Sequence, residues 1–391
     1  MKQVRNILQR LGSMDRVFLM LVVTLLTVGL IMLLSASYPS AYYETGDPTY
    51  YFKRQLCFAV LGMASMLIMA ALDYSRLRTL ARPAMVLAVL LLVLVLIPGI
   101  GVMRNNARRW ISVAGFFTFQ PSELAKLAVV IVLASSIAVK KDRMRSWRDG
   151  IRPHLLFLLA VSGLVLAEPH LSGALLILGA GTALLFVGGI RLRWVIGAGL
   201  AAILGACALL NGVFSYGQSR IAVWQDPFSD AEGAGYQLSQ SLLAIGSGGL
   251  TGLGLGRSRQ KFLFLPEEHN DFIFSIVCEE LGLIGAGLIL LLFMALILRG
   301  YWIALRAKDR FGSLLVVGIL SLFAMQTFLN VSVVTGLLPT TGISLPFFSY
   351  GGTALFLQLF EMGIVLSVSR QVRQPRSSVS QAKTSHKYPH K

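Results

Sequence analysis

The densest chemistry in this 391-residue chain lies in LPEEHNDFIF, residues 265–274, where Glu267, Glu268, His269 and Asp271 crowd five positions. Only 14% of the chain is charged, so four ionisable groups at the start of an apolar run need a reason. Three chemistries suit them. Asn270 or Asp271 ahead of an apolar run makes a good helix cap, and acids are stabilised at the positive end of a helix dipole. A carboxylate-rich group joined by His269 could hold a hard divalent cation, Mg or Mn, although no tight ligand spacing is present. A carboxylate at a boundary, partly shielded from water, has its pKa raised and can accept a proton as a general base. On residue chemistry alone the cap reading comes first.

Other charges raise similar questions. Arg104, Arg108 and Arg109 fall within six residues beside Trp110. Guanidinium groups grip phosphate in bidentate fashion, so this is an anion site or an interfacial headgroup anchor. In PSELAKLAVVIVLA, Glu123 and Lys126 stand three apart on one helical face and can pair. A charge at membrane depth costs a few kcal/mol, so the pair either lines a polar cavity or is a structural ion pair. Glu279 and Glu280 are adjacent, so on a helix they cannot both face one way. Glu361 lies near the inner end of an apolar run and can reach headgroups.

The elements that must position these residues follow from hydropathy. The chain is 55% hydrophobic with mean hydropathy +0.71, and its apolar residues come in long unbroken blocks. Blocks of about 18 residues or more span a bilayer as helices, which alone satisfy their backbone in lipid. The expectation is an all-α polytopic membrane protein with ten spans, roughly 17–35, 55–72, 83–98, 121–138, 154–168, 170–189, 194–213, 272–298, 312–335 and 345–368. The fifth and sixth are separated only by Glu168-Pro169-His170, which leaves one broken helix as an alternative. With the N-terminus cytoplasmic, 25 of the 35 Lys and Arg fall on inner segments, so both termini are expected inside. That bias explains most of the +17 charge, and the scattered basic residues carry no nucleic-acid reader motif. Cys57, Cys207 and Cys278 fall in or beside spans and read as apolar packing. Residues 1–368 form one membrane domain, and 369–391 read as a disordered basic cytoplasmic tail.

Two outer loops then need function. Residues 99–120 carry the arginines on the side where the positive-inside rule disfavours them. Residues 214–271 form a large extracytoplasmic loop before the eighth span, too long for a simple connector. Within it YQLSQSLLAIG has a helical apolar face of Leu238, Leu242, Leu243 and Ile245, which suits a helix lying in the interface. The following GSGGLTGLGLG reads as a flexible hinge, since no strand precedes it to make a nucleotide loop.

The run FLFLPEEHNDFIFSIVCEELGLIG resembles the signature of the SEDS family, the polytopic peptidoglycan glycosyltransferases typified by FtsW, RodA and SpoVE. RRWI followed by FQPSELAKL, then DPFSDAEGAGYQLSQSLLAIGSGGLTGLGLG, then GLLPTTGISLPFFSYGGTALF agree with it in order, over residues 104–360. The resemblance implies that the chain polymerises glycan strands from lipid II on the outer face of the bacterial cytoplasmic membrane. The family's aspartate in PExHxDF matches Asp271, which would act as general base on the acceptor's 4-hydroxyl as the donor's lipid pyrophosphate leaves with inversion. Arg108, Arg109, Arg220 and Lys261 are candidates to stabilise the leaving group. Glu123 and Lys126 match a cavity-lining pair, and Trp110, Glu168, His170, Gln237, Gln240, Glu267 and His269 are expected wall residues. A class B penicillin-binding protein transpeptidase and other divisome or elongasome membrane proteins are the implied partners. QKFLFLPEEHNDFIF looks closer to the division and sporulation branch, yet Thr341 stands where many division members carry lysine. The rival readings are a lipid II flippase, whose acids would line spans instead of one face, and a recruiting scaffold without chemistry.

Overall fold

The computed structural model describes residues 14–104, 107–113, 117–191, 193–194, 197 and 223–372. Helix α1 (Arg16–Thr45) begins at Asp15, whose side chain accepts from Phe18 N at 2.9 Å, and runs on through Pro39 well past the expected boundary. Helices α2 (Tyr50–Ala71) and α3 (Arg76–Leu96) follow after short turns. The second outer loop is not irregular: β1 (Gly101–Arg104), β2 (Ala107–Val113) and β3 (Phe117–Phe119) form an antiparallel three-stranded sheet in that order. Helix α4 (Pro121–Lys140) starts on its proline, which loses no hydrogen bond at that position. The sequence Glu168-Pro169-His170 separates two helices, α5 (Arg152–Ala167) and α6 (Leu171–Val187), that fold back on each other with Leu158 against Gly181, so they are two elements and not one broken helix. The seventh expected span, 194–213, lies outside the described residues apart from two positions. Helices α7 (Tyr236–Gly248), α8 (Ile273–Leu305), α9 (Arg310–Val334) and α10 (Gly352–Arg370) complete the fold.

Eight helices among the described residues are long and apolar enough to cross a membrane, and α6 is a shorter apolar one. Helix α9 is the most enclosed, packed by α4, α6 and α8, whereas α2 lies along α10. Leu61, Ile68, Val86, Leu90, Leu283 and Leu291 face outward on α2, α3 and α8, as side chains bathed in acyl chains do. The last membrane helix begins at Gly352, not near 345. Residues 345–351 instead dip into the bundle as a buried loop, with Leu345, Phe347 and Phe348 in the core. Its backbone is satisfied by side chains: Gln55 Nε2 donates to Ser349 O at 3.1 Å, and Gln358 Oε1 accepts from Phe347 N at 3.1 Å.

The glycine-dense segment is not a free hinge. It crosses α8 where Gly282 leaves helical geometry, and backbone bonds run both ways. Leu253 N and Gly254 N donate to Glu279 O and Glu280 O at 3.0 Å each, while Leu283 N and Ile284 N donate to Gly249 O and Leu250 O at 2.9 and 3.1 Å. A Cβ on Gly252, at φ +79°, would sit 2.2 Å from Glu280 O, so the crossing requires glycine. The same segment answers the adjacent acids. Both are fully buried and both grip residues 258–261: Glu279 accepts from Ser258 Oγ and from Arg259 N at 2.9 Å, and Glu280 accepts from Lys261 Nζ at 2.8 Å and Ser35 Oγ at 2.7 Å.

Helix α7 covers the stretch expected to be helical. It packs on α8 through Leu238, Ser239, Ser241, Ala244 and Gly248, with Ser241 Oγ 2.7 Å from Ser275 Oγ, while Leu243 is exposed. Small residues allow this approach, so α7 is clamped to the bundle along one side. Glu361 does not reach for headgroups: it is buried between helices, within electrostatic reach of Lys126 and Glu123.

Candidate active site

Asp271 is aimed by the turn before it. Glu267 takes a left-handed conformation, φ +57°, and its carbonyl accepts from Asn270 N at 3.0 Å and Phe272 N at 3.2 Å. Asn270 turns its side chain back, Nδ2 to Glu267 Oε2 at 2.5 Å. The first residue of the cap is Phe272, with no side-chain cap bond, so neither Asn270 nor Asp271 caps α8. Three bonds from distant elements then fix the backbone here. Asn330 Nδ2 on α9 donates to Asp271 O at 2.7 Å and to Ile343 O at 2.6 Å, Ser349 Oγ donates to Asn270 O at 2.7 Å, and Tyr350 N donates to His269 O at 2.8 Å.

The Asp271 carboxylate itself accepts no hydrogen bond from the described residues and remains partly open. Gly342 (φ +62°) stands beside it: a Cβ built there would lie 3.2 Å from Oδ2. Burial, and then the charge of Glu267, push its pKa up to about 6, against opposing pulls from Arg109 and His269. An unbonded carboxylate poised near 6 is basic enough to take a proton and is ionised at neutral pH.

Arg109 on β2 links this group to the α5–α6 junction. Its Nε donates to Glu168 O at 3.3 Å and its Nη2 to Pro169 O. Glu168 is fully buried with both carboxylate oxygens unpartnered, and burial pushes its pKa up to about 8 despite Arg109. His170 Nδ1 lies 3.3 Å from Ser122 Oγ and 3.4 Å from Gln120 Nε2, and burial holds its pKa down near 3, helped by Arg109 and Lys126. Ser172 Oγ donates to Thr341 O, beside Gly342, so the junction touches the loop that flanks Asp271. Below, Lys126 Nζ pairs with Glu123 Oε1 at 2.8 Å and reaches Gln326 Oε1 at 3.4 Å; Gln326 Nε2 in turn donates to Ser344 O at 3.1 Å. Buried polar atoms left without partners, Glu168 Oε1 and Oε2, Asn330 Oδ1 and Thr341 Oγ1, border the same region. Orphaned polar groups of this kind need an explanation, and a polar ligand supplies one.

The sequence candidates divide accordingly. Asp271, Glu267, His269, Arg109, Glu168, His170 and the Glu123–Lys126 pair are brought together. Arg108 and Trp110 are half-buried on β2, and Gln237 Nε2 reaches Pro266 O at 3.4 Å from α7, which also carries Gln240. Lys261 does not join them, because its ammonium is buried on Glu280 and Ser35. Arg220 lies outside the described residues. No three His, Cys, Asp or Glu side chains among the described residues converge as a metal group. Asn330, Gly342 and Ser349 were missed as individual residues. The signal for Gly342 and Ser349 was the polar and glycine content of TTGISLPFFSYGG beside apolar helices, and for Asn330 it was an amide inside an apolar helix.

This arrangement has counterparts. The family model for FtsW/RodA/SpoVE cell cycle proteins matches residues 15–374. The chain belongs to this family. It is 44% identical to Stage V sporulation protein E of Bacillus subtilis, across 92% of this chain and 98% of that protein. A probable peptidoglycan glycosyltransferase FtsW of Geobacter metallireducens is 41% identical across 94% and 97%. Among solved structures it matches a chain from a peptidoglycan synthase complex, described as coordinating polymerization and crosslinking, with TM-score 0.76 and 30% identity over 91% of this chain and 98% of that one. The rod shape determining protein RodA of Thermus thermophilus gives 0.69 and 30% over 93% and 98%. With eight span-length apolar helices among the described residues, this is a multi-pass membrane protein.

Proposed function

We propose that this chain is the peptidoglycan glycosyltransferase of a bacterial cytoplasmic membrane and polymerises lipid II on the outer face, with Asp271 as its general base. The observation that carries the reading is the Asp271 carboxylate: unbonded, partly open, poised near 6, and held by backbone bonds from α9 and the 335–351 loop. The acceptor's 4-hydroxyl loses its proton to Asp271 as its oxygen bonds to the donor's anomeric carbon. The bond from that carbon to the phosphate oxygen breaks, and the pyrophosphate leaves on its lipid with inversion at carbon. Arg109, held over the α5–α6 junction, supplies positive charge for the leaving phosphates. Glu168 is neutral below about pH 8 and therefore adds no repulsion there. Lys126 is already engaged by Glu123, so it shapes the cavity floor.

Both termini are cytoplasmic in this reading, and a class B penicillin-binding protein transpeptidase cross-links the new strand. The strong match to sporulation and division relatives supports that branch. The test is gel-resolved polymerisation of lipid II by purified protein, with and without the transpeptidase and with and without chelator. Asp271→Asn should abolish polymer while leaving lipid II binding intact. Polymer yield equal to wild type from Asp271→Asn would sink the general-base assignment, and transport without polymer would favour the flippase.

A further inference from the structure

Three rings meet at His269, two residues from Asp271 in the chain. Tyr51, at the start of α2, stacks on His269 with centroids 4.4 Å apart and 27° between planes. Tyr350 presents its edge to both, 4.9 Å from Tyr51 at 72° and 5.9 Å from His269 at 62°. They come from three distant stretches of chain and are tied down by further bonds. Glu268 Oε1 lies 3.2 Å from His269 Nδ1, Tyr350 N donates to His269 O at 2.8 Å, and the Tyr51 hydroxyl donates to Glu44. Tyr51 and Tyr350 are only half-buried, as is Asp271 two residues from His269, so the cluster is not sealed in the core. It continues through Tyr50, edge-on to Tyr51 at 5.4 Å, toward the exposed Tyr42 and Tyr43.

Tyrosines at a membrane boundary commonly anchor a helix to the interface, and Tyr42 and Tyr43 fit that role. Tyr51 does not, since its ring is turned inward on a buried histidine. A pyranose has apolar C–H faces and polar edges, so it packs on an aromatic face while carboxylates and amides take its hydroxyls. An aromatic body combined with nearby polar groups is the same pairing that enriches Tyr at binding surfaces. A base that deprotonates a sugar hydroxyl needs that sugar held still within reach. We infer that Tyr51, His269 and Tyr350 form the subsite that seats the acceptor sugar, with Tyr51 as the stacking platform. This rests on the glycosyltransferase reading above.

The experiment uses full-length protein in nanodiscs and a soluble disaccharide-peptide, N-acetylglucosaminyl-N-acetylmuramyl pentapeptide, which lacks lipid and phosphate. Saturation-transfer NMR with aromatic irradiation should light the pyranose C–H protons in the wild type and in Asp271→Asn. Tyr51→Leu, which keeps apolar volume but loses the ring, should weaken fragment binding and raise the KM for lipid II roughly five- to tenfold. Tyr51→Phe should restore both relative to Tyr51→Leu. Absence of aromatic transfer to the fragment in the wild type overturns the subsite. So does an unchanged KM in a Tyr51→Leu protein whose thermal unfolding matches the wild type. Either result leaves the enzyme reading standing if lipid II is still polymerised, whereas a wild type that makes no polymer removes the reading itself.

Discussion

At the scale of single residues, the chemistry turns on what Asp271 is spared. Its carboxylate is not used to cap α8, and no described side chain donates to it. Desolvation therefore raises its pKa without the compensation that a cap would supply. Replacing Asp271 by Asn should lower polymerisation by about 10²–10⁴, the usual share of general base catalysis. The sign of the pH dependence follows. The active form is ionised, so kcat/KM is full above about 6 and falls as pH drops through that value. Glu267 contributes to the upward shift by like charge, so Glu267→Gln should move the acid limb to lower pH. A pH–rate profile of both proteins checks this, and an unmoved limb would detach Glu267 from the poise of Asp271. Gly342→Ala adds a methyl 3.2 Å from Oδ2 at a left-handed φ, and should reduce turnover with little change in overall helicity.

At the scale of elements, the site stands on a crossing of loop over helix. Residues 249–261 are bonded to α8 on both sides of its Gly282 kink, and the Lys261–Glu280 pair with Ser35 ties that crossing to α1. Removing one partner leaves an uncompensated buried charge, so Lys261→Met should destabilise by about 3–5 kcal/mol. Lys261→Met combined with Glu280→Leu should recover most of that. Thermal unfolding in detergent reads both, and a double variant no better than the single one would mean that the pair is not the fastening. Gly252→Ala, facing a carbonyl at 2.2 Å with φ +79°, should be destabilised by about 1–3 kcal/mol.

At the scale of the whole molecule, the helices place the α1–α2 turn, the β1–β3 sheet, the α5–α6 junction, the 223–272 segment and the 335–351 loop at one end of the bundle. The proposed topology, with both termini cytoplasmic, would put that end outside. Single cysteines in a background free of native cysteines, at Gly46 and at Lys308, test this in intact cells with a membrane-impermeant maleimide. Gly46→Cys should label and Lys308→Cys should not; the reverse would invert the topology.

Hydropathy was enough to read the mostly helical membrane class and eight of the ten expected spans, because backbone satisfaction in lipid leaves helix as the solution for long apolar blocks. PExHxDF and its companion blocks were enough to point to the family, and the spacing of Glu123 and Lys126 was enough to pair them, since residues three apart on a helix are neighbours. Other contacts were invisible in one dimension, because they join residues far apart in the chain. Lys261 read as a free outer cation until Glu280 and Ser35 enclosed it. The 249–256 glycines read as a hinge until α8 filled the space beside them, and nothing local showed that Ser241 on α7 would meet Ser275. Asp271 read as a helix cap until the left-handed Glu267 wound the turn one residue further, to Phe272. Local sequence determined which groups were present and which helices carried them. Only tertiary packing decided which of those groups were desolvated, which were paired and which carboxylate was left open, because burial and partnership depend on neighbours that the local pattern does not name.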